Sequence, residues 1–309
     1  MRLLLIGCTG FVGRGLIPRF LRSGHELIIV SRNNAKKIDI DTDNEKITLL
    51  ELDPSTEEAW GNDSLLKALA HSEGVINLAG EPIAEKRWTE EHLVSIEKSR
   101  LKTTQYLLEA MKLLKEGPKV LINGSAIGFY GTSADKVFTE GSAAGNDFLA
   151  KLCKNWEDLA STKPAKTRLV IFRIGIVLEQ DGGALKKMLP IFKTGLGGPI
   201  GTGEQWMSWV HRKDLCEMIE QSLKNANWSG IFNATSPEPV RMAEFAAALG
   251  KRLARPSLLQ VPGPILKLLL GDGAKVVLEG QKVISTRLKE VNFKFNYPTL
   301  NKAFEDIKV

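Results

Sequence analysis

The sequence predicts an α/β fold: a doubly wound parallel sheet with helices on both faces, plus a smaller C-terminal substrate lobe. Three observations predict it. A short apolar run, Leu3-Leu4-Leu5-Ile6, ends in glycines at 7, 10 and 13 and opens onto a helical pattern of Leu16, Ile17, Phe20 and Leu21. Apolar strand-like runs then alternate with helical periodicity as far as Gly175, the pattern of parallel strands buried on both faces. Beyond Gly175 the texture shifts to glycine-rich and aromatic segments. A chain of 309 residues, 43% hydrophobic and 25% charged, can bury one large α/β unit with an added lobe.

Taken in order, a first helix spans about 11–22, with Pro18 removing one backbone donor inside it. His25 to Val30 reads as a second strand, Ile47 to Leu52 as a third closed by Asp53-Pro54, and Gly74 to Gly80 as a fourth. Thr89 starts a long helix to about Leu114 with a bend near Ser99-Arg100. Pro118 to Asn123 is a fifth strand, a helix covers about Asp147 to Leu159, and Arg168 to Gly175 is a sixth strand. This makes residues 1–175 a Rossmann-like nucleotide-binding domain, to which 209–235 returns, and leaves 176–309 mainly as the C-terminal substrate-binding lobe. In that lobe Gly195 to Glu204 is too glycine-rich for a packed helix, and Gln205 to His211 is an extended aromatic segment. Asp214 is placed to cap the next helix, and further helices are expected over 240–253, 265–270 and 276–288.

Composition narrows the function classes. No apolar run reaches the roughly 18 residues of a membrane span, and strand residues follow Met1-Arg2 directly, so we expect a cytoplasmic protein without a membrane partner. Cys8, Cys153 and Cys216 are scattered, which suits a reducing compartment. His25, His71, His92 and His211 lack metal-ligand spacing, so no metal is expected. The net charge of +6 comes without a long Lys/Arg block; it suits an anionic cofactor and small-molecule substrate and does not call for nucleic acid. Oligomeric state is left open.

The chemistry begins at Gly7-Cys8-Thr9-Gly10-Phe11-Val12-Gly13. A strand running into a tight turn that opens a helix gathers backbone N–H groups and a positive helix terminus around one point, which suits a phosphate. One glycine permits the turn, one lets backbone approach a pyrophosphate, and one lets helix and strand pack. The second strand ends at Ser31-Arg32, where an NAD enzyme carries Asp or Glu for the ribose 2′-OH. Arginine offers a forked cation for a 2′-phosphate, with Arg14 as a second, so NADP(H) is the expected cofactor; both are alternatively solvated surface arginines. Asp53 lies toward the adenine, or simply forms a turn before Pro54. Leu78, Ala79 and Gly80 leave room for a ligand across the sheet edge.

Gly7-x-x-Gly10-x-x-Gly13, Asn77-Leu78-Ala79-Gly80, and Ser125 followed by Tyr130-Gly131 resemble the extended short-chain dehydrogenase/reductases, the class of nucleotide-sugar epimerases and dehydratases. Arg87-Trp88-Thr89, Trp156-Glu157, Gly197-Gly198-Pro199-Ile200-Gly201-x-Gly203-x-Gln205-Trp206 and Ser208-Trp209-Val210-His211-x-x-Asp214 look like one atypical branch of it. That branch is the "epimerase family protein" group, labelled as nucleoside-diphosphate-sugar epimerases and linked in some names to cell division. The segment from Val261 to Phe295 resembles its C-terminal domain of unknown function.

The resemblance implies hydride chemistry with a positioned acid/base. The class uses a Tyr-x-x-x-Lys pair with a Ser that hydrogen-bonds the substrate oxygen. Ser125 fits that Ser, but the pair is absent: tyrosine occurs only at 106, 130 and 297. Aligning Glu157 with the class's acidic residue puts Leu149 and Cys153 at the pair. Tyr130 is therefore the candidate acid/base, or an aromatic that packs the cofactor pocket. Cys153 and His211 are weaker candidates, a helical core thiol and a loop anchor respectively. Trp206 and Trp209 either stack on a ligand or fill the seam between lobes. Two functions follow: an NADP(H)-dependent oxidoreductase or epimerase-like enzyme acting on a small polar, nucleotide-linked substrate, or a catalytically silent NADP(H)-binding regulatory protein.

Overall fold

In the computed structural model the described residues are 1–34, 41 and 44–308. The glycine turn sits between β1 (Arg2–Ile6) and α1 (Gly13–Arg22), which runs on through Pro18. There follow β2 (Glu26–Ser31), β3 (Ile47–Glu51), α2 (Glu57–Trp60), α3 (Asp63–Ala70) and β4 (Gly74–Asn77). α4 (Glu90–Leu113) is one helix, begun where the Thr89 side chain accepts the His92 N–H. β5 (Val120–Ala126) leads into a 3-10 turn (Ile127–Tyr130), β6 (Val137–Phe138), α5 (Phe148–Ala160) and β7 (Arg168–Ile174). Asp147 caps α5 by accepting the Ala150 N–H at 2.9 Å. The fourth strand is shorter than the sequence suggests: Asn77 turns its side chain inward to Thr104 and Asn123, and residues 78–80 leave the sheet as its exit loop.

The second half holds β8 (Ile176–Glu179), α6 (Gly183–Lys193), β9 (Trp206–Met207), β10 (Trp209–His211), α7 (Arg212–Lys224) and β11 (Gly230–Ala234). It ends with β12 (Val240–Arg241), α8 (Met242–Leu253), α9 (Gly263–Leu270), α10 (Lys275–Leu278), β13 (Lys282–Val283), α11 (Arg287–Glu290) and α12 (Leu300–Glu305). Seven strands form one parallel sheet in the order β11-β7-β5-β4-β1-β2-β3. The period-2 alternation of a strand splits β1 between two cores. Leu3 and Leu5 pack with Leu16, Phe20, Leu215 and Ile219 of α1 and α7, while Leu4 and Ile6 face Leu65, Leu107 and Met111 of α3 and α4. A third core, with Leu185, Phe192, Trp209, Phe245 and Phe304, joins elements from the second half of the chain.

Two local expectations fail for stated reasons. The helix expected over 276–288 breaks at Gly280, where a Cβ would fall 2.0 Å from the Trp206 carbonyl oxygen; Lys282–Val283 then pairs in parallel with β6. Asp214 does not cap α7. His211 does, accepting the Lys213 N–H on Nδ1, while the Asp214 carboxylate accepts the backbone N–H groups of Asn296 and Tyr297 and so pins the C-terminal segment. Trp209 is fully buried, its Nε1 donating to the Glu238 carbonyl at 2.9 Å, and fills the lobe core rather than a ligand site.

Candidate functional site

β1 pairs with β2 on one side and β4 on the other, so the winding reverses between β1 and β4. In such sheets the crevice outside the carboxyl ends of the two strands at that reversal receives the ligand. The three glycines of the turn lie there with distinct surroundings. Gly7 has φ +72°, and a Cβ on it would fall 2.4 Å from the Ala79 nitrogen. A Cβ on Gly13 would overlap the Cys8 carbonyl oxygen at 1.6 Å. Gly10 is different: its nearest neighbour to a Cβ is the Gly7 carbonyl oxygen at 3.8 Å. Two glycines thus exist for close packing, and the middle one keeps the crevice side of the turn open.

Above the turn, α1 starts at Val12 with no side-chain cap and no acidic residue in its first turn, among the described residues. Its positive terminus adjoins the turn, an arrangement suited to an anion, while the Arg14 and Gly15 N–H groups donate to the Gly10 and Val12 carbonyls at 3.0 Å. Thr9, Phe11 and Val12 supply the rest of the turn. On the far side Gly80 lies against Arg100, where a Cβ would come within 2.8 Å of the guanidinium; Arg100 in turn donates to the Glu81 carbonyl. The Ala79 N–H donates to Asn77 Oδ1 at 3.3 Å, which fixes the Leu78–Gly80 exit.

Arg32 follows β2 at the same edge, with its side chain 57% exposed and 3.5 Å from Glu81. Arg14 donates to the Asp181 carbonyl at 3.4 Å. Asp53 opens a turn, its Oδ1 accepting from the Ser55 N–H and hydroxyl at 2.9 and 2.8 Å.

Ser125, at the end of β5, and Tyr130, in the following 3-10 turn, meet through two further residues. The Ser125 hydroxyl donates to Glu157 Oε1 at 2.6 Å. Arg173 of β7 grips both Glu157 oxygens, from Nε at 2.8 Å and Nη2 at 2.7 Å, and its Nη1 donates to the Tyr130 hydroxyl at 2.9 Å. That hydroxyl donates to Asn233 Oδ1 at 2.6 Å. All five residues are buried. Burial pushes the Tyr130 pKa above its usual value, with Arg173 offsetting part of the rise, so the phenol is protonated at neutral pH. An open cleft of about 560 Å³ reaches Tyr130 from outside, lined by Thr132, Lys136, Phe138 and Ser142 among others.

Leu149 packs against Gly128. Cys153 is buried near Ser125, its thiol pushed up to about 11 by burial, which makes it a core thiol rather than an acid/base. Arg173 and Asn233 escaped a motif-based reading, and Glu157 entered it only as an alignment anchor, without its partners Ser125 and Arg173. The available signal was Arg173 itself, a charge inside the apolar run Leu169-Val170-Ile171-Phe172, which cannot be buried without a counter-charge. The glycines of residues 195–203 also find their reason: Gly198 touches the Leu259 backbone, and the loop pairs with residues 259–261.

The model of the NAD dependent epimerase/dehydratase family matches residues 3–234. This chain belongs to that family. A domain of unknown function (DUF1731) matches residues 261–307 of the same family member. The Arabidopsis thaliana epimerase family protein SDR39U1 homolog, chloroplastic, is 40% identical over 311 residues, covering 99% of this chain and 86% of that protein. The human epimerase family protein SDR39U1 (isoform 2), crystallised with NADPH, is 32% identical with a TM-score of 0.88 over 99% of both chains. The UDP-glucuronic acid 4-epimerase of Bacillus cereus, solved with UDP-glucuronic acid and NAD, shares the fold at 17% identity, TM-score 0.76, over 99% of this chain and 97% of that one. Among the described residues of this epimerase-family chain no helix is long and apolar enough to cross a membrane, and no group of three His, Cys, Asp or Glu side chains could hold a metal ion.

Proposed function

We propose that the protein is an NADP(H)-dependent oxidoreductase or epimerase-like enzyme acting on a small polar substrate, nucleotide-linked as in its epimerase relatives. The observation that carries the cofactor half is the glycine turn at the β1/β4 reversal, open over Gly10 and topped by an uncapped helix. Gly7, Thr9, Gly10, Phe11, Val12 and Gly13 hold the pyrophosphate. Arg32 takes the 2′-phosphate, exchanging its long contact with Glu81 for a forked one; Asp53 borders the adenine, and Leu78, Ala79 and Gly80 border the inner edge. The NADPH-bound human relative supports the same cofactor. When bound, NADPH supplies a hydride. Ser125 orients the substrate oxygen, and Tyr130, kept protonated by burial, hands it a proton. Arg173 and Glu157 hold both hydroxyls in register. A protonated Tyr130 is in the form that can donate to a carbonyl oxygen as the hydride arrives.

The second reading, a catalytically silent NADP(H)-binding regulator in the cytoplasm, rests on one observation: both hydroxyls are already engaged within the buried network. Titrating NADPH and NADH against the wild type and Arg32→Ala tests the cofactor. A preference for NADPH, reduced about tenfold or more by the substitution, is expected for a lost charge-assisted contact; equal wild-type affinity for the two refutes it. Screening NADPH consumption over a carbonyl and nucleotide-sugar panel tests the reaction. Ser125→Ala and Tyr130→Phe abolish turnover with cofactor affinity intact if the enzyme reading holds, and tight NADPH binding without consumption supports the silent one.

A further inference from the structure

We propose that Arg212, together with the glycine hairpin at residues 182 and 183, positions the phosphate-binding turn from the C-terminal side of the molecule. This rests on the NADP(H) reading above and adds to it a site that the nucleotide-binding motif does not contain. Glu179 and Gly182 bridge in antiparallel fashion, as do Leu178 and Gly183, to form a tight hairpin between β8 and α6. The Phe11 ring, from the middle of the phosphate-binding turn, lies on that hairpin. A Cβ at Gly182 would fall 2.2 Å from Phe11 Cδ2, and one at Gly183 2.9 Å from Cε1. Both glycines are therefore a seat for the ring.

Arg212, the first residue of α7, closes the arrangement. Its Nη1 donates to the Phe11 carbonyl at 3.3 Å, and its guanidinium lies 5.0 Å from the centre of the Phe11 ring. The same group pairs with Asp181 at 2.8 Å and with Glu179 at 3.5 Å, while Arg14 donates to the Asp181 carbonyl. The Arg212 side chain is 14% exposed, and Gly15 is small where it passes, since a Cβ there would meet Arg212 Cδ at 3.3 Å. Two functions follow from this geometry. The carbonyl contact and the ring seat set the backbone of the turn, whose N–H groups must converge on the pyrophosphate. The guanidinium also neutralises two carboxylates that would otherwise repel a pyrophosphate held at the adjoining turn. An arginine is suited to the task because one planar fork serves a carbonyl, a ring face and two carboxylates at once.

The experiment compares two ligands on one set of variants. NADPH and adenosine 2′-monophosphate, which has the 2′-phosphate but no pyrophosphate, are titrated by calorimetry into wild type, Arg212→Ala, Arg212→Lys and Gly182→Ala. Thermal midpoints are recorded without ligand. Arg212→Ala and Gly182→Ala are expected to weaken NADPH by about tenfold or more and to leave adenosine 2′-monophosphate unchanged, with Arg212→Lys between wild type and Arg212→Ala. An unchanged NADPH affinity in Arg212→Ala and Gly182→Ala overturns the proposal, as does an equal loss for both ligands, which marks general unfolding. If Arg212→Ala does not fold, Arg212→Lys and Gly182→Ala decide by the same criterion. A wild type that binds neither ligand overturns the cofactor reading itself and this proposal with it, an outcome separate from the other two.

Discussion

A guanidinium inside an apolar strand is tolerable only when a counter-charge and enough acceptors are buried with it. Arg173 meets that condition through Glu157, the Tyr130 hydroxyl and the Glu140 carbonyl, and its cation also lies 3.4 Å from the Phe129 ring centre. Its pKa rises because the Glu157 contacts outweigh the burial that pulls it down. Removing one member strands the other. Arg173→Met should lower unfolding stability by about 3–5 kcal/mol, whereas replacing Arg173 and Glu157 together by apolar residues of similar size should recover much of that loss. Urea unfolding of the two variants measures the difference; a single substitution no worse than the double one contradicts the pairing.

The N-terminus of α7 carries a titration that can be tested alone. His211 caps the helix with an unprotonated Nδ1, stacks on Tyr297 at 3.7 Å, and has its pKa lowered to about 4, chiefly by burial, with Lys213 and Arg212 adding to the effect against Asp306. The unfolded chain binds this proton near pH 6.5 and the folded one near 4. Stability is thus complete above about 6.5 and declines as pH falls toward 4, by up to about 3 kcal/mol from this group. His211→Asn keeps a capping acceptor and should flatten the decline; thermal midpoints at pH 7, 6, 5 and 4 check it. At β13 the controlling residue is Gly280. Gly280→Ala places a methyl against the Trp206 carbonyl and should cost about 1–3 kcal/mol, typical of overpacking, read by the same melts. These elements also show what a single sequence displays. β1, β2, β4, β5 and β7 were legible because two-sided burial writes them as nearly continuous apolar runs. β6, β12 and β13 are two residues long and pair with partners far along the chain, so no local pattern marks them; β9, equally short, lies within the extended segment Gln205 to His211. The glycine turn between β1 and α1 was legible from glycine spacing plus strand-to-helix context. The Ser125 to Asn233 network was not, since it joins residues from β5, the 3-10 turn, α5, β7 and β11.

On the scale of the whole molecule, the glycine turn after β1 is held from both halves of the chain, because Arg212 and the Asp181–Gly183 hairpin pack on its Phe11. Binding a ligand there should stabilise both halves together. NADPH at 100 times its dissociation constant should add about 2.7 kcal/mol to the unfolding free energy, seen as one shifted calorimetric transition; two transitions with only one shifted would contradict this coupling. The order of strands gives this coupling a covalent counterpart. β11 closes the sheet beside β7, yet β8, α6, β9, β10 and α7 intervene between the two in the chain. A cut after Gly175 would therefore leave β7 with a bare edge, and α1 without the α7 face it packs on. No cut between β7 and β11 leaves the sheet intact, and synthesis must run through Ala234 before the sheet can be completed. Long-range closure of this kind slows folding, and it makes the β7 edge the surface most exposed to mispairing while synthesis is under way.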